Sequence, residues 1–167
     1  MTAARLLDGA AVAAVIRAEV RPGVEAFTAR AGRPPGLGIV LVGDDPASAI
    51  YVRNKLKSAA EAGLRADLER RPATASLDEL LAIVDRLNRS EVHDGILVQS
   101  PLPHAMGPDA ERRVFDAVLP CKDVDGLHPV NVGLLSRTAR RSSGVRRLAS
   151  SSCWIARGSP LPARTRS

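Results

Sequence analysis

A chain of 167 residues is long enough for one domain with its own core and too short for two ordinary ones. Its formal charge of +6 would suit an anionic partner such as nucleic acid or a membrane surface. Residues 136–167, however, hold eight arginines and no acid, so the first 135 residues keep 24 − 8 = 16 bases against all 18 acids, a net −2. The body is slightly acidic, and nucleic acid is not an expected partner for it. Cys121 and Cys153 stand far apart with no Cys/His ligand spacing around them, which argues against a structural zinc, a metal site or a disulfide framework. No apolar run approaches the roughly 20 residues of a membrane span, and the N-terminus is interrupted by Asp8, Arg17 and Glu19, so no membrane segment and a cytoplasmic protein are expected.

Along the chain, Val12, Val15, Ile16, Val20 and Val24 recur at helical spacing, predicting an amphipathic first helix that falters near Pro22 and Gly23. Leu37 to Gly43, LGIVLVG, is a continuous apolar run rich in β-branched residues and suits a strand buried on both faces. A helix follows, with Asp45 as cap, Pro46 at the first helical position and Gly63 as the stop. Leu64 to Glu69 predicts a second strand. Ser76 and Glu79 then stand in capping-box positions before a helical apolar stripe. Asp94 to Gln99, DGILVQ, predicts a third strand, followed by helices from about Pro108 to Val118 and from about Pro129. Strands alternating with helices imply an α/β fold, a three-layer domain with a short, mostly parallel sheet. Ligands in such sheets sit at the carboxyl ends of the strands.

Those ends carry the candidate chemistry. Tyr51 and Lys55 are one helical turn apart on one face; a partly desolvated lysine beside a phenol can shuttle a proton. An amphipathic surface helix with Tyr51 half-buried and Lys55 in solvent explains the same spacing. Gln99 ends an apolar strand before Ser100-Pro101-Leu102-Pro103, a stiff loop that can aim a carboxamide into the crevice; alternatively it bonds the loop backbone. In KDVDG, Lys122 to Gly126, an aspartate can accept hydrogen bonds from an amino-pyrimidine edge or close an Asx-turn on its own backbone. His93, His104 and His128 receive no catalytic role. No GxGxxG follows a strand and no GxxxxGK[ST] occurs, so no dinucleotide or nucleotide fingerprint is present.

Taken together, LVGDDPASAIYVRNK, DGILVQSPLP and KDVDGLHPVNVG resemble the bifunctional methylenetetrahydrofolate dehydrogenase/methenyltetrahydrofolate cyclohydrolase family, from the LDG near Leu7 to about Leu135. The resemblance implies an α/β folate-binding domain over residues 1–135 that would normally be followed by a Rossmann-type domain for NADP or NAD. It also implies oxidation of 5,10-methylenetetrahydrofolate by hydride transfer and hydrolysis of the 5,10-methenyl cation to 10-formyltetrahydrofolate. Lys55 matches the family's proton-transfer lysine, assisted by Gln99 and Tyr51 as catalytic partners. Substrate contacts are implied for Tyr51, Ser48, Gln99, Pro101 and Asp125, the last holding the pterin ring. The family is homodimeric, an expectation not extended to so short a chain. Ser100 replaces the family's usual leucine, which predicts a looser or a wetter wall beside the site.

The pattern stops near Leu135, so the cofactor domain is expected to be missing, with hydride transfer absent and hydrolysis weak at most. An inactive folate-binding fragment is the alternative. Residues 136–167 admit three readings: a basic nucleic-acid-binding arm, a disordered terminus, or translation out of frame. The arginine-rich tail contains no lysine. Back-translating Arg141 to Ser167 with permitted codons and regrouping the bases by one position yields FVRCTPLGVIELLDRAGIPLAGAHAV, whose CTP and helical apolar pattern resemble the family's entry to its cofactor domain. A one-base insertion or deletion between about Ser136 and Arg141 is therefore expected; sequencing the gene across this point should reveal the family-like frame downstream, and its absence would refute the reading.

Overall fold

The structure, a computed structural model, describes residues 8–138. The readings of the tail beyond Thr138, as disordered, as a nucleic-acid arm or as out of frame, lie outside the described residues. Five helices and three strands alternate: α1 (Gly9–Ala31), β1 (Gly36–Val42), α2 (Pro46–Glu61), β2 (Arg65–Arg71), α3 (Leu77–Arg89), β3 (Gly95–Val98), α4 (Ala110–Ala117) and α5 (Pro129–Thr138). A short 3-10 turn, His104–Met106, precedes α4.

The strands form one parallel sheet in the order β2-β1-β3. β1 is central and almost wholly buried, which accounts for its unbroken apolar sequence. Alternate side chains divide the interior in two. Val40 and Val42 of β1, with Ile96 and Val98 of β3, pack against Leu80, Ile83, Val84 and Leu87 of α3 and Val114 of α4. Ile39, Leu41 and Leu97 face the other way, onto Val52 and Leu56 of α2. Helices therefore cover both faces, giving the expected three layers.

β2 is an edge strand running to Arg71, past the expected end at Glu69. Arg65 pairs with Asp67, and Arg71 and Arg86 both pair with Glu69, so the open edge is dressed with charge, a known protection against strand addition. The Ser76–Glu79 capping box forms as read: Ser76 N–H donates to Glu79 Oε2 at 2.7 Å and Glu79 N–H to Ser76 Oγ at 3.1 Å.

The first helix differs from expectation. It runs unbroken through Pro22 and Gly23 to a left-handed Gly32. Proline removes only the hydrogen bond to the Ala18 carbonyl, and both Ala18 and Pro22 face solvent, where water can satisfy that oxygen. Only the second half of α1 packs inward, through Val24 and Phe27; Val12, Val15, Ile16 and Val20 are exposed among the described residues. Arg17 and Arg21 tether the helix to Glu61 at the end of α2.

A polar clasp aligns the strand starts. Arg33 makes two hydrogen bonds to Asp94, at 2.7 and 3.1 Å, and lies 5.5 Å from the Phe27 ring centroid. Asp94 Oδ2 also accepts the Gly36 N–H at 2.9 Å. A Cβ on Gly36 would stand 1.8 Å from the Val92 carbonyl oxygen, so only glycine fits where these segments touch.

Two expectations follow for stability. Leu80→Ala, at a site 1% exposed, should lower the free energy of urea unfolding by about 2–5 kcal/mol. Val15→Ala, at a site 58% exposed, should change it by no more than about 0.5 kcal/mol; a large cost at Val15 would show that this face is covered in solution.

Candidate functional site

The carboxyl ends of β1 and β3 lie side by side, and each delivers one half of the site. After β1 the chain turns at Gly43 (φ 86°), whose N–H donates to the Arg71 carbonyl at 2.9 Å. Asp45 then starts α2: its Oδ2 accepts the Ser48 N–H at 2.7 Å, and Pro46 follows the cap. The same backbone hydrogen bond holds the Asp45 carboxyl below the ordinary carboxylate range. Ser48 is buried at 3% exposure. Tyr51 is 62% exposed at the outer surface of the helix, and Lys55, one turn on, is half-buried.

Gln99 continues the ladder beyond β3, its N–H donating to the Val40 carbonyl at 2.9 Å. Its side chain meets Lys55: Lys55 Nζ donates to Gln99 Oε1 at 3.1 Å. Gln99 Nε2 donates to the Ser100 carbonyl at 2.6 Å. The backbone reading of Gln99 is therefore met by one end of the carboxamide, which bonds the loop, while the other end accepts from the lysine.

The loop beyond Gln99 is tightly held. The Ser100–Pro101 peptide is cis, Pro101 is exposed and Leu102 is buried in the α3/α4 core. Ser100 Oγ donates to Glu111 Oε1 at 2.6 Å, and Leu102 N–H donates to the same oxygen at 3.0 Å. Ser100 is solvent-exposed, as a wetter wall requires, but it does not loosen that wall: its hydroxyl adds a tie to α4 that leucine has no group to make.

The two aspartates of KDVDG have different environments. Asp123 is buried and serves the backbone: Oδ1 accepts the Gly126 N–H at 2.9 Å, and Oδ2 accepts the His128 N–H at 2.9 Å and Asn131 Nδ2 at 2.9 Å. The turn reading thus applies to Asp123. Asp125 is exposed. Residue 123 bridges Ile96 in parallel, and the chain then turns, with Gly126 at φ 73°.

Sequence reasoning passed over several groups that hold these loops. Buried Lys122 donates to the Leu87 and Ser90 carbonyls at 3.0 and 2.7 Å, satisfying orphan acceptors at the end of α3. Asn131 also donates to the Pro120 carbonyl. Lysine or asparagine beside an Asx-type turn was the only available signal. Glu111 gave none, because its partners depend on a loop path that spacing does not reveal. His93 lies between Ser90 Oγ at 2.8 Å and Asp67 Oδ2 at 3.0 Å, at the flank of α3. Burial works against the charge of Asp67, but hydrogen bonds from Arg65 and His93 outweigh it and hold its carboxyl below the ordinary range.

Among the described residues no group of three His, Cys, Asp or Glu side chains converges on a metal position, and no helix is long and apolar enough to cross a membrane. A dinucleotide fits poorly here. Pyrophosphate seats on free N–H groups at a helix start, whereas Asp45 already occupies that start in α2 and Asp44 adds a second charge beside it.

Comparison with known proteins identifies the chain's relatives. The family model described as tetrahydrofolate dehydrogenase/cyclohydrolase, catalytic domain, matches residues 7–125. The chain is 53% identical over 133 residues to "Bifunctional protein FolD 1" of Rhizorhabdus wittichii, covering 80% of this chain and 44% of that protein. It is 52% identical over 134 residues to "Bifunctional protein FolD" of Sorangium cellulosum, covering 80% and 46%. Among solved structures, a 5,10-methylenetetrahydrofolate dehydrogenase from the silkworm Bombyx mori superposes with a TM-score of 0.74 at 41% identity, over 80% of this chain and 45% of that one. The Trypanosoma brucei N5,N10-methylenetetrahydrofolate dehydrogenase-cyclohydrolase, complexed with NADP and inhibitor, superposes with a TM-score of 0.78 at 36% identity, over 94% and 52%. The chain thus spans about half the length of the relatives it matches. With the matched block covering most of the sequence and about half of it identical to these relatives, the chain belongs to the tetrahydrofolate dehydrogenase/cyclohydrolase family.

Proposed function

We propose that this chain carries the folate site of a methylenetetrahydrofolate dehydrogenase/cyclohydrolase and that its own residues serve the hydrolytic half of the chemistry. The observation that carries this reading is the Lys55 Nζ to Gln99 Oε1 hydrogen bond of 3.1 Å, joining two side chains from different elements at the carboxyl ends of parallel strands. The substrate is 5,10-methenyltetrahydrofolate, a cation in which one carbon bridges two nitrogens.

Hydrolysis requires water to add to that bridging carbon and lose a proton, giving a neutral carbinolamine; one carbon–nitrogen bond then breaks as the hydroxyl becomes the formyl carbonyl and releases its proton to solvent, and the freed nitrogen gains a proton, so that one proton is released overall. The product is 10-formyltetrahydrofolate. Lys55 is the proposed group that takes the proton from water and returns one to the departing nitrogen. Gln99, fixed at both ends of its carboxamide, aims the amine and limits its rotation. Tyr51, exposed one turn before Lys55, offers its ring to a planar folate, while Pro101 adds an apolar edge. Ser48 lies at the buried start of the same helix. Asp125 is the proposed acceptor for the amino edge of the pterin.

Hydride transfer belongs, in this proposal, to the whole dehydrogenases with their nicotinamide cofactor, NADP or NAD. Placement of the pathway in purine biosynthesis and in the cytoplasm follows from the same family reading.

Hydrolysis of 5,10-methenyltetrahydrofolate by the purified chain, followed through loss of the methenyl absorbance above the uncatalysed rate, tests the proposal. Lys55→Ala should lower kcat by about a hundredfold or more, and equal rates would exclude Lys55 as the proton-transfer group. Asp125→Ala should mainly raise KM, as expected when binding common to ground and transition states is removed; an unchanged KM would remove Asp125 from the pterin site.

Acidification provides a second check on the site. The Asp45 carboxyl is depressed by its bond from Ser48 N–H, so the stabilisation it gives is present above the ordinary carboxylate range and is lost as pH falls through the lower folded value. Carboxyl NMR should show Asp45 titrating below the ordinary carboxylate range, with the Ser48 amide exchanging faster as it does. A midpoint at or above that range would contradict the cap.

A further inference from the structure

We propose that Glu111 is a positioning residue for the Lys55–Gln99 pair, acting through Ser100; the role in hydrolysis rests on the function proposed above, whereas the clamp itself rests on geometry. Glu111 lies in the first turn of α4 and reaches back to the loop that leaves β3. One of its oxygens, Oε1, accepts both the Ser100 hydroxyl and the Leu102 N–H, so a single carboxylate oxygen brackets Pro101 from both sides. Proline has no N–H, which leaves this segment poor in backbone donors and makes a side-chain acceptor the natural anchor.

The chain of contacts continues into the crevice. Ser100 presents its carbonyl to Gln99 Nε2 at 2.6 Å, and that bond fixes which end of the carboxamide faces Lys55. If the Ser100 carbonyl turned away, the terminal torsion of Gln99 would be free to rotate. A half-turn would set the NH2 group, a donor, against the Lys55 amine, itself a donor when charged. Glu111 therefore does more than pin a loop: through Ser100 it keeps the Gln99 oxygen aimed at Nζ. Leucine, the residue expected at position 100 from the resemblance, has no hydroxyl to complete this path.

Glu111→Ala, Glu111→Gln and Ser100→Ala in the full chain test the proposal by two independent readouts. In the first, NMR follows the side-chain amide resonances of Gln99 and hydrogen exchange at the Leu102 N–H. Glu111→Ala should move the Gln99 resonances toward those of a free carboxamide and speed Leu102 exchange by about tenfold or more. Glu111→Gln, which keeps an acceptor oxygen, should restore both. Ser100→Ala should move the Gln99 resonances while leaving Leu102 exchange nearly unchanged, and it keeps the test decisive should Glu111→Ala fail to fold.

In the second readout, hydrolysis of 5,10-methenyltetrahydrofolate should show about a tenfold loss of kcat with little change in KM for Glu111→Ala, and recovery in Glu111→Gln. A wild-type chain that hydrolyses nothing would defeat the proposed function and leave the NMR arm to decide the clamp. Folded Glu111→Ala protein with wild-type Gln99 resonances would overturn the proposal, even if its Tm fell, since Glu111 would then be structural only. Wild-type Gln99 resonances in Ser100→Ala would remove Ser100 from the path.

Discussion

Burying β1 on both faces is the constraint from which the remainder of the structure follows. Its backbone is paired on both sides, to β2 and to β3 in parallel, and its side chains alternate between two apolar layers. Because all three strands run the same way, the segments leaving β1 and β3 emerge together at one edge. That edge places the start of α2 beside Gln99, and so Lys55 beside its acceptor. Any shift of β3 against β1 by one residue would turn Gln99 to the opposite face of the sheet.

Carboxylates then fix what the sheet brings together. Asp8, Asp45, Glu79, Asp94, Glu111 and Asp123 each accept at least one backbone N–H. Such charge-assisted bonds are shorter and stronger than neutral ones, and here they secure helix starts, a strand start and two loops. Six of the body's 18 acids are thus occupied with the chain's own amides. That occupation also makes the start of α2 unwelcoming to phosphate, which separates this site physically from a nucleotide cradle.

Much of this was legible in the sequence because it is local. Asp45 before Pro46, Ser76 before Glu79 and the apolar run of β1 each announce themselves within a few residues. Tyr51 and Lys55 declared a shared face by their spacing, and Gln99 stood out as a polar group ending an apolar strand. The failures were cases where environment outweighed local preference. Pro22 did not end α1, because its missing hydrogen bond falls on an exposed face. The stripe of Val12, Val15, Ile16 and Val20 is helical as read, yet these residues remain exposed among the described ones; spacing reveals a face and not what covers it. Ser100 looked like a loosening substitution until its partner on α4 was known.

By itself, the sequence determined the order and type of the elements, the strand ends on which the candidate residues lie, and the family, since those properties reside in short motifs and their periodicity. Only the tertiary structure decided which candidates touch. It joined Lys55 to Gln99 across 44 residues, divided the two aspartates of KDVDG into a buried brace and an exposed group, and tied Glu111 to the loop after Gln99. The physical reason is that a hydrogen bond depends on the relative placement of two elements to within a fraction of an ångström, and that placement is set by the packing of the whole sheet and its helices, which no local pattern encodes.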